Sequence, residues 1–204
     1  MSSVSRSIGA ILVMVAIAGC GGSAAPSAQS PSVLSGSVSA TAEHPTGAPT
    51  IAASASPAAL GWRSIPIADV RSGATLRIVD LAGKVVVVEL MATWCPPCLE
   101  QQRQLLIAKR QLDPGRVAFV SIDADTRENA STILSYAEKH GFDWVYTVGP
   151  PALLRDLADV YGIGVLDPPA TPVVVIARDG SAALTETGLK LSDRLVELIR
   201  AAGA

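Results

Sequence analysis

The 204-residue chain has few of the residues that bind nucleic acids, phosphates or metals. Its formal net charge is −2 and no cluster of Lys and Arg occurs, which excludes a nucleic-acid-binding surface. It has no glycine-rich phosphate loop and no internal repeat. The only histidines are His44 and His140, and the only cysteines are Cys20, Cys95 and Cys98. This set is too small for a structural zinc site with four ligands. We therefore expect no nucleic-acid partner and no metal or other cofactor.

The sequence also lacks an apolar run long enough to cross a bilayer, since the run at residues 8–18 has only the length of a signal-peptide core. The run ends in Ile17-Ala18-Gly19-Cys20, which resembles a bacterial lipobox. We predict that residues 1–19 are a signal peptide and that Cys20 is lipidated. The alternative is cleavage after Ala16-Ile17-Ala18, which would leave a free thiol outside the cell. The protein is thus predicted to be extracytoplasmic and lipid-anchored, or else secreted.

Two regions of different composition follow this signal. Residues 20–58 are rich in Ser, Ala and Pro and almost uncharged, so they cannot bury a core and are predicted to be a flexible tether. Residues 59–204 have the length of one ordinary domain.

The most informative motif is Trp94-Cys95-Pro96-Pro97-Cys98. Two thiols three residues apart at the start of a helix can close an easily reduced disulfide. The β-branched run at residues 85–91 predicts a buried strand before the motif, and residues 101–112 predict a helix after it. A C-x-x-C between a strand and a helix indicates dithiol redox chemistry rather than zinc binding.

The remaining pattern alternates strands with helices. A helix near residues 130–140 is expected to begin at Asp125 or Thr126 and end at Gly141, and another is expected between Pro150-Pro151 and Gly162. The other predicted elements are a hairpin at 65–70 and 76–79, strands at 117–123 and 144–148, a hairpin at 173–177 and 183–187, and a helix at 191–199. This order predicts an α/β domain with a mixed central sheet flanked by helices.

These residues resemble thioredoxin-like proteins, and among them the exported disulfide reductases of the TlpA/ResA type. The resemblance is carried by "GKVVVVELMATWCPPC", the strand ending at Asp123, the Tyr161-Gly162-Ile163 step and "ATPVVVIARDG". It implies a thioredoxin fold with an N-terminal β-hairpin and a helix-strand insertion at residues 130–148. It also implies disulfide-bonded exported proteins as substrates, with apocytochrome c as one possibility, and a membrane thiol-transfer protein as electron donor. We expect a monomer.

The two cysteines are assigned different roles. Cys95 is the predicted nucleophile, with its sulfur facing solvent and the helix amides, and Cys98 is the resolving thiol. A helix N-terminus lowers a thiol pKa, but Pro96 and Pro97 lack N–H groups, so only Cys98 and Leu99 are expected to donate near the sulfur. No basic residue separates the cysteines, which favours a reducing potential near −270 mV over an oxidising one near −120 mV. We therefore predict a reductase. An oxidase or isomerase, a copper-delivery protein and a thiol peroxidase are the alternatives.

Glu89 is the only charged residue in the 85–91 strand, six positions before Cys95. Burial would raise its pKa and let it exchange a proton with Cys98, so we predict it to be the catalytic acid–base group. Thioredoxin resembles this chain in that acid, whereas many TlpA/ResA-type proteins use a Glu where this chain has Gln101. Glu100 is expected to face water. The alternative for Glu89 is a structural role, snorkelling to a sheet edge or pairing with Lys84.

Substrate contacts are predicted for Trp94, Pro96 and Pro97 beside the nucleophile, and for Thr171-Pro172. Only the resemblance implies that the Thr171-Pro172 bond is cis and faces the disulfide, because most X-Pro bonds are trans. A cis bond would aim the Thr171 backbone at a substrate chain for strand-like pairing. Pro168-Pro169 is interpreted as loop stiffening. Trp62 and Trp144 are assigned to packing, and His140 to a helix end.

Overall fold

The computed structural model describes residues 61–204, so the predicted signal peptide, the whole tether, Cys20 and His44 lie outside the described residues. A five-stranded sheet has the order β5-β4-β3-β6-β7, and β1 and β2 form a separate antiparallel pair. The strands are β1 (Ile67–Ala68), β2 (Thr75–Leu76), β3 (Val85–Met91), β4 (Val117–Asp123), β5 (Val145–Val148), β6 (Val173–Ile176) and β7 (Ala182–Leu184). The helices are α1 (Pro96–Lys109), α2 (Ala130–His140), α3 (Pro151–Tyr161) and α4 (Ser192–Ala201).

Strand β3 lies at the centre of the sheet. It runs parallel to β4, which runs parallel to β5, and antiparallel to β6, which pairs with β7. Helices α1 and α2 make the crossovers between the parallel strands, as parallel pairing requires. The prediction of a mixed α/β sheet flanked by helices is confirmed.

Because successive strand residues point to opposite faces, β3 contributes to two cores. Val87 and Met91 pack under α1, α2 and α4, together with Leu105 and Leu195. Val86, Val88 and Leu90 face the other side, where they meet α3 and Trp62. Covering on both faces explains why the strand is an almost continuous apolar run. Trp62 and Trp144 are both buried, which agrees with their assignment to packing.

Two helix starts differ from the sequence prediction. Helix α1 begins at Pro96 rather than 101, because two prolines suit the first helical positions, where no N–H is needed. Helix α2 is capped by Asn129, whose side chain accepts a hydrogen bond from the Thr132 amide at 3.1 Å, so capping by Asp125 or Thr126 was wrong. The ends of α2 and α3 at Gly141 and Gly162 are confirmed. Within residues 61–204, no helix combines the length and apolarity that a bilayer crossing needs.

Candidate active site

Cys95 and Cys98 form a disulfide across the first turn of α1. Cys95 is the N-cap residue, and its Sγ accepts a hydrogen bond from the Cys98 amide at 3.2 Å. The two intervening prolines offer no donor, so this amide is the first that the helix can supply. The Leu99 amide donates to the Cys95 carbonyl instead, at 3.2 Å. The helix terminus therefore stabilises charge on Cys95 through fewer donors than the sequence analysis expected.

Both cysteines are buried, with exposed fractions of 1% for Cys95 and 0% for Cys98. The expectation that the Cys95 sulfur faces solvent is therefore wrong for this disulfide form. A short segment packs against α1 beside the disulfide, and its Pro168 carbonyl oxygen lies 3.1 Å from Cys98 Sγ. We call this segment the flap (residues 167–171): a 3-10 turn, Pro168–Ala170, between Asp167 and Thr171. Pro168 thus contacts the redox centre, whereas the sequence analysis assigned it only to stiffening of a loop.

An open groove of about 430 Å³ has Cys95 of the disulfide in its lining. Trp94 is 54% exposed at its edge, and its indole N–H donates to Asp125 Oδ2 at 2.7 Å. Cys95, Pro96, Leu99, Tyr136 and Lys139 also line it. Trp94 and Pro96 therefore lie where a bound chain could contact them, and Pro97 is exposed next to them.

Glu89 lies in the middle of β3, opposite Ser121 of β4 and Val173 of β6. It is 1% exposed, and Ser121 Oγ donates to its Oε2 at 3.0 Å. Burial raises its pKa to about 8, against the opposing effects of the Ser121 hydrogen bond, the nearby Gln102 side chain and the Lys190 charge. A central buried position rules out snorkelling to a sheet edge, and no ion pair with Lys84 is present among the described residues. Glu89 can therefore hold a proton at neutral pH.

A polar network extends from Glu89 beneath α1. The Trp144 indole N–H donates to Ser121 Oγ at 2.9 Å, so Ser121 connects Glu89 to β5. The Tyr146 hydroxyl donates to Gln102 Oε1 at 2.9 Å. Trp144 thus has a polar role in addition to packing. Glu100, one helix position before Gln101, is partly exposed, and hydrogen bonds from Gln104 and Arg103 lower its pKa.

Thr171-Pro172 precedes β6, and the Pro172 carbonyl accepts a hydrogen bond from the Leu90 amide at 3.1 Å. Thr171 is 1% exposed and has a left-handed backbone, with φ of 49°. Its N–H donates to the Pro168 carbonyl at 2.8 Å, and its own carbonyl accepts a hydrogen bond from Lys190 Nζ. Both backbone groups are therefore used within the protein, and strand-like pairing with a substrate would require their release. The cis form of the bond stays a prediction.

Sequence reasoning missed Lys190, which is 1% exposed. Its Nζ donates to the Thr171 carbonyl and, at 3.3 Å, to the Glu186 carbonyl. Burial lowers its pKa to about 8, opposed by the charges of Glu186 and Glu89. The Gln101 amide holds the Lys190 backbone on both sides, accepting from Lys190 N at 2.8 Å and donating to Lys190 O at 3.1 Å. A lysine between two leucines gives no local signal of this position.

An acidic pair supports the residues just before the cysteines. Glu128 accepts hydrogen bonds from the Thr93 amide, at 2.9 Å, and from the Thr93 hydroxyl. Asp123, buried at the end of β4, has its pKa raised to about 7 by burial and by the neighbouring charges of Glu128 and Asp125. The two loops that follow β3 and β4 are thereby joined beside Trp94.

No group of three or more His, Cys, Asp and Glu within residues 61–204 is arranged to hold a metal ion. His140, at the end of α2, packs against the Tyr136 and Phe142 rings, with centroid distances of 4.8 and 5.8 Å. Burial lowers its pKa, as do the nearby charges of Lys139 and Arg103. It is therefore an aromatic packing residue at the helix end.

A disulfide across the first turn of a helix, placed at the end of the central strand of a mixed sheet, defines a thiol–disulfide oxidoreductase of the thioredoxin fold. The chain belongs to the Redoxin family, whose profile matches residues 63–191. No curated protein matches the sequence.

Solved structures share this fold. A thiol:disulfide interchange protein of the thioredoxin family from Chlorobium tepidum TLS is 20% identical, with a TM-score of 0.58 over 69% of this chain and 93% of that one. A secreted Mycobacterium tuberculosis disulfide oxidoreductase homologous to E. coli DsbE is 20% identical, with a TM-score of 0.52 over 69% and 97%. A DsbF homologue from Corynebacterium diphtheriae is 18% identical, with a TM-score of 0.54 over 67% and 83%.

Proposed function

We propose that this protein is an extracytoplasmic, lipid-tethered thiol–disulfide reductase of the TlpA/ResA type that reduces disulfides of exported proteins. The environment of Cys95 supports electron transfer from this protein to its substrate, that is, a reductase rather than an oxidase. Its sulfur accepts one amide hydrogen bond, from Cys98, and the two residues between the cysteines have neither charge nor N–H. Weak stabilisation of the thiolate disfavours the reduced form, so the pair gives up its electrons readily.

The proposed reaction transfers two electrons and two protons to the substrate. The Cys95 thiolate attacks one substrate sulfur, which breaks the substrate disulfide, forms a mixed disulfide with Cys95 and releases the other substrate sulfur as a thiolate. The Cys98 thiolate then attacks Cys95 Sγ, which closes the Cys95–Cys98 disulfide and releases the second substrate thiolate. Both leaving thiolates are protonated.

Glu89 is the proposed proton acceptor for the second attack. It lies on the α1 side of the sheet, with Cys98 in the core on that same side. With a pKa of about 8, Glu89 is ionised in about a tenth of the molecules at pH 7, and this ionised form accepts the Cys98 proton; the protonated form can return it. Substrate approach to Cys95 is assigned to the groove with Trp94, Pro96 and Pro97 at its edge.

The location and the partners are part of the same proposal. The apolar run before Ile17-Ala18-Gly19-Cys20 supports export, lipidation of Cys20 and a tether that lifts a monomeric domain above the membrane. The similar Mycobacterium tuberculosis protein is described as secreted. A membrane thiol-transfer protein would then regenerate the dithiol, and apocytochrome c is one candidate substrate.

Redox titration tests the direction. The purified protein is equilibrated in dithiothreitol buffers of graded potential, its thiols are alkylated, and the oxidised and reduced forms are separated on a gel. We expect a midpoint close to the thioredoxin value of about −270 mV. A midpoint close to the DsbA value of about −120 mV would identify an oxidase and overturn the reductase assignment.

A further inference from the structure

We propose that Lys190 is a positioning residue that latches the flap (residues 167–171) beside the disulfide, so that thiol–disulfide exchange requires the flap to move. The proposal rests on the dithiol chemistry alone. It depends neither on the direction of electron transfer nor on the lipid anchor.

The sulfur beside the flap is the leaving sulfur of the exchange. When a thiolate attacks Cys95 Sγ, the S–S electron pair moves to Cys98 Sγ, and the ease with which that sulfur leaves helps to set the rate. The Pro168 carbonyl oxygen lies 3.1 Å from Cys98 Sγ, and both residues are buried. An electron-rich oxygen at that distance opposes negative charge on Cys98, so this charge develops readily only after the flap has moved.

The Thr171 backbone at the end of the flap is strained. Thr171 is the only non-glycine residue with positive φ among residues 61–204. A β-branched side chain fits the left-handed region poorly, so this conformation persists only where surrounding contacts enforce it. Release of those contacts would let Thr171 return to an extended backbone, which carries the flap away from its present position.

Two hydrogen bonds from the loop at residues 188–190 hold the flap in this conformation. Lys190 Nζ donates to the Thr171 carbonyl and lies 3.4 Å from Thr171 Oγ1. The Gly188 amide donates to the Ala170 carbonyl at 3.0 Å, so the same loop holds the flap twice. Buried lysines are rare unless their charge is paired or hydrogen-bonded, and Thr171 supplies those acceptors here.

Lys190 is also bonded to α1, the helix that carries the cysteines. Both backbone groups of Lys190 bond to the side-chain amide of Gln101, one turn after Cys98 in α1. The flap, Lys190 and α1 therefore form one hydrogen-bonded unit around the disulfide. The Lys190 charge also lowers the pKa of Glu89, against the larger effect of burial, so the latch residue interacts electrostatically with the proposed proton acceptor.

The test measures disulfide reduction in the folded protein. A dithiothreitol thiolate attacks Cys95 Sγ, the S–S bond breaks and its electron pair leaves with Cys98. The second dithiothreitol thiol then closes its own ring and releases Cys95. The proteins compared are the wild type, Lys190→Met, Lys190→Arg and a control, Lys84→Met. Lys84 directly precedes β3, at the end of that strand away from the cysteines. Quenched alkylation gives the rate, and amide exchange of Thr171 reports flap opening.

We expect Lys190→Met to speed reduction of the disulfide at least tenfold. Hydrogen exchange of the Thr171 amide should speed up by a similar factor, because both processes require the flap to open. Lys190→Arg, which keeps the donors, should return the rate to within about threefold of wild type, and Lys84→Met should match wild type. The wild-type rate should change little in low urea, since a local opening exposes little surface. A merely structural lysine would lower the unfolding midpoint without these rate changes.

Two results would overturn the latch: an unchanged or slower reduction rate in Lys190→Met, or a wild-type rate that rises with urea as steeply as global unfolding does. If Lys190→Met does not fold, Lys190→Gln replaces it, because the amide retains donors but loses the charge. The expected acceleration is then smaller but still exceeds threefold, and a rate equal to wild type would again reject the proposal.

Discussion

Replacement of Glu89 by glutamine should stabilise the protein in a pH-dependent way. The pKa of the side chain is about 8 in the folded protein, against 4.5 without burial. Between these pH values the folded protein keeps a proton that the unfolded chain releases. The stability from the protonated form is therefore fully present below pH 4.5 and is lost as the pH rises through 8.

The magnitude follows from the pKa difference. Each pH unit inside this window lowers the free energy of unfolding by about 1.36 kcal/mol, so the loss from pH 4.5 to pH 7 is about 3 kcal/mol. Glutamine does not titrate, so Glu89→Gln should match wild type near pH 4.5 and exceed it by about 3 kcal/mol at pH 7. The pKa of Asp123 is also raised, so Asp123 makes the free energy of unfolding fall with pH in the same way. Because both proteins contain Asp123, its contribution cancels in the stability difference between Glu89→Gln and wild type.

Urea denaturation of the oxidised proteins at pH 4.5 and pH 7 measures this difference. The matched control is Glu100→Gln, because the pKa of Glu100 is lowered and the side chain is partly exposed. In the same variants we expect Glu89→Gln to reduce insulin roughly 10²-fold more slowly, as for loss of a general acid–base group. A stability difference that is the same at both pH values would refute the buried-acid argument. An unchanged pH–rate profile would move the proton transfer elsewhere, first to Glu100.

Further predictions concern the cysteines. Cys95→Ser should abolish insulin reduction, and Cys98→Ser should accumulate mixed disulfides through Cys95, because attack still occurs without resolution. Peptide mapping identifies the trapped sulfur, and trapping through Cys98 would reverse the assigned roles. Mass spectrometry of the native protein should show a mature chain that starts at Cys20 with two or more acyl chains, since one chain anchors only weakly. A chain that starts at unmodified Gly19 would exclude the lipid anchor.

The parts that could be predicted from sequence are those with a local pattern. Because periodicity and turn residues act over short distances, the valine run and the C-x-x-C predicted β3, a helix after the cysteines and a buried Glu89. They did not predict the start of that helix at Pro96. The flap contact of Pro168 with Cys98 and the bond from Lys190 to Thr171 join residues far apart in sequence. No local signal distinguishes Lys190 from a surface lysine. The burial of Cys95 depends on this tertiary packing, and the expectation of an exposed sulfur failed for that reason.

The central position of β3 has a consequence for the order of folding. Strands β3, β4 and β5 are joined by local crossovers, whereas β6 pairs with β3 only after the intervening helices are made. Contacts distant in sequence form late because closing long loops costs entropy. Val173 of β6 is paired in register with Glu89, so β6 completes the sheet around this residue. We therefore expect refolding at pH 7 to take up about one proton as β6 docks, so that a pH indicator in weak buffer reports this late step.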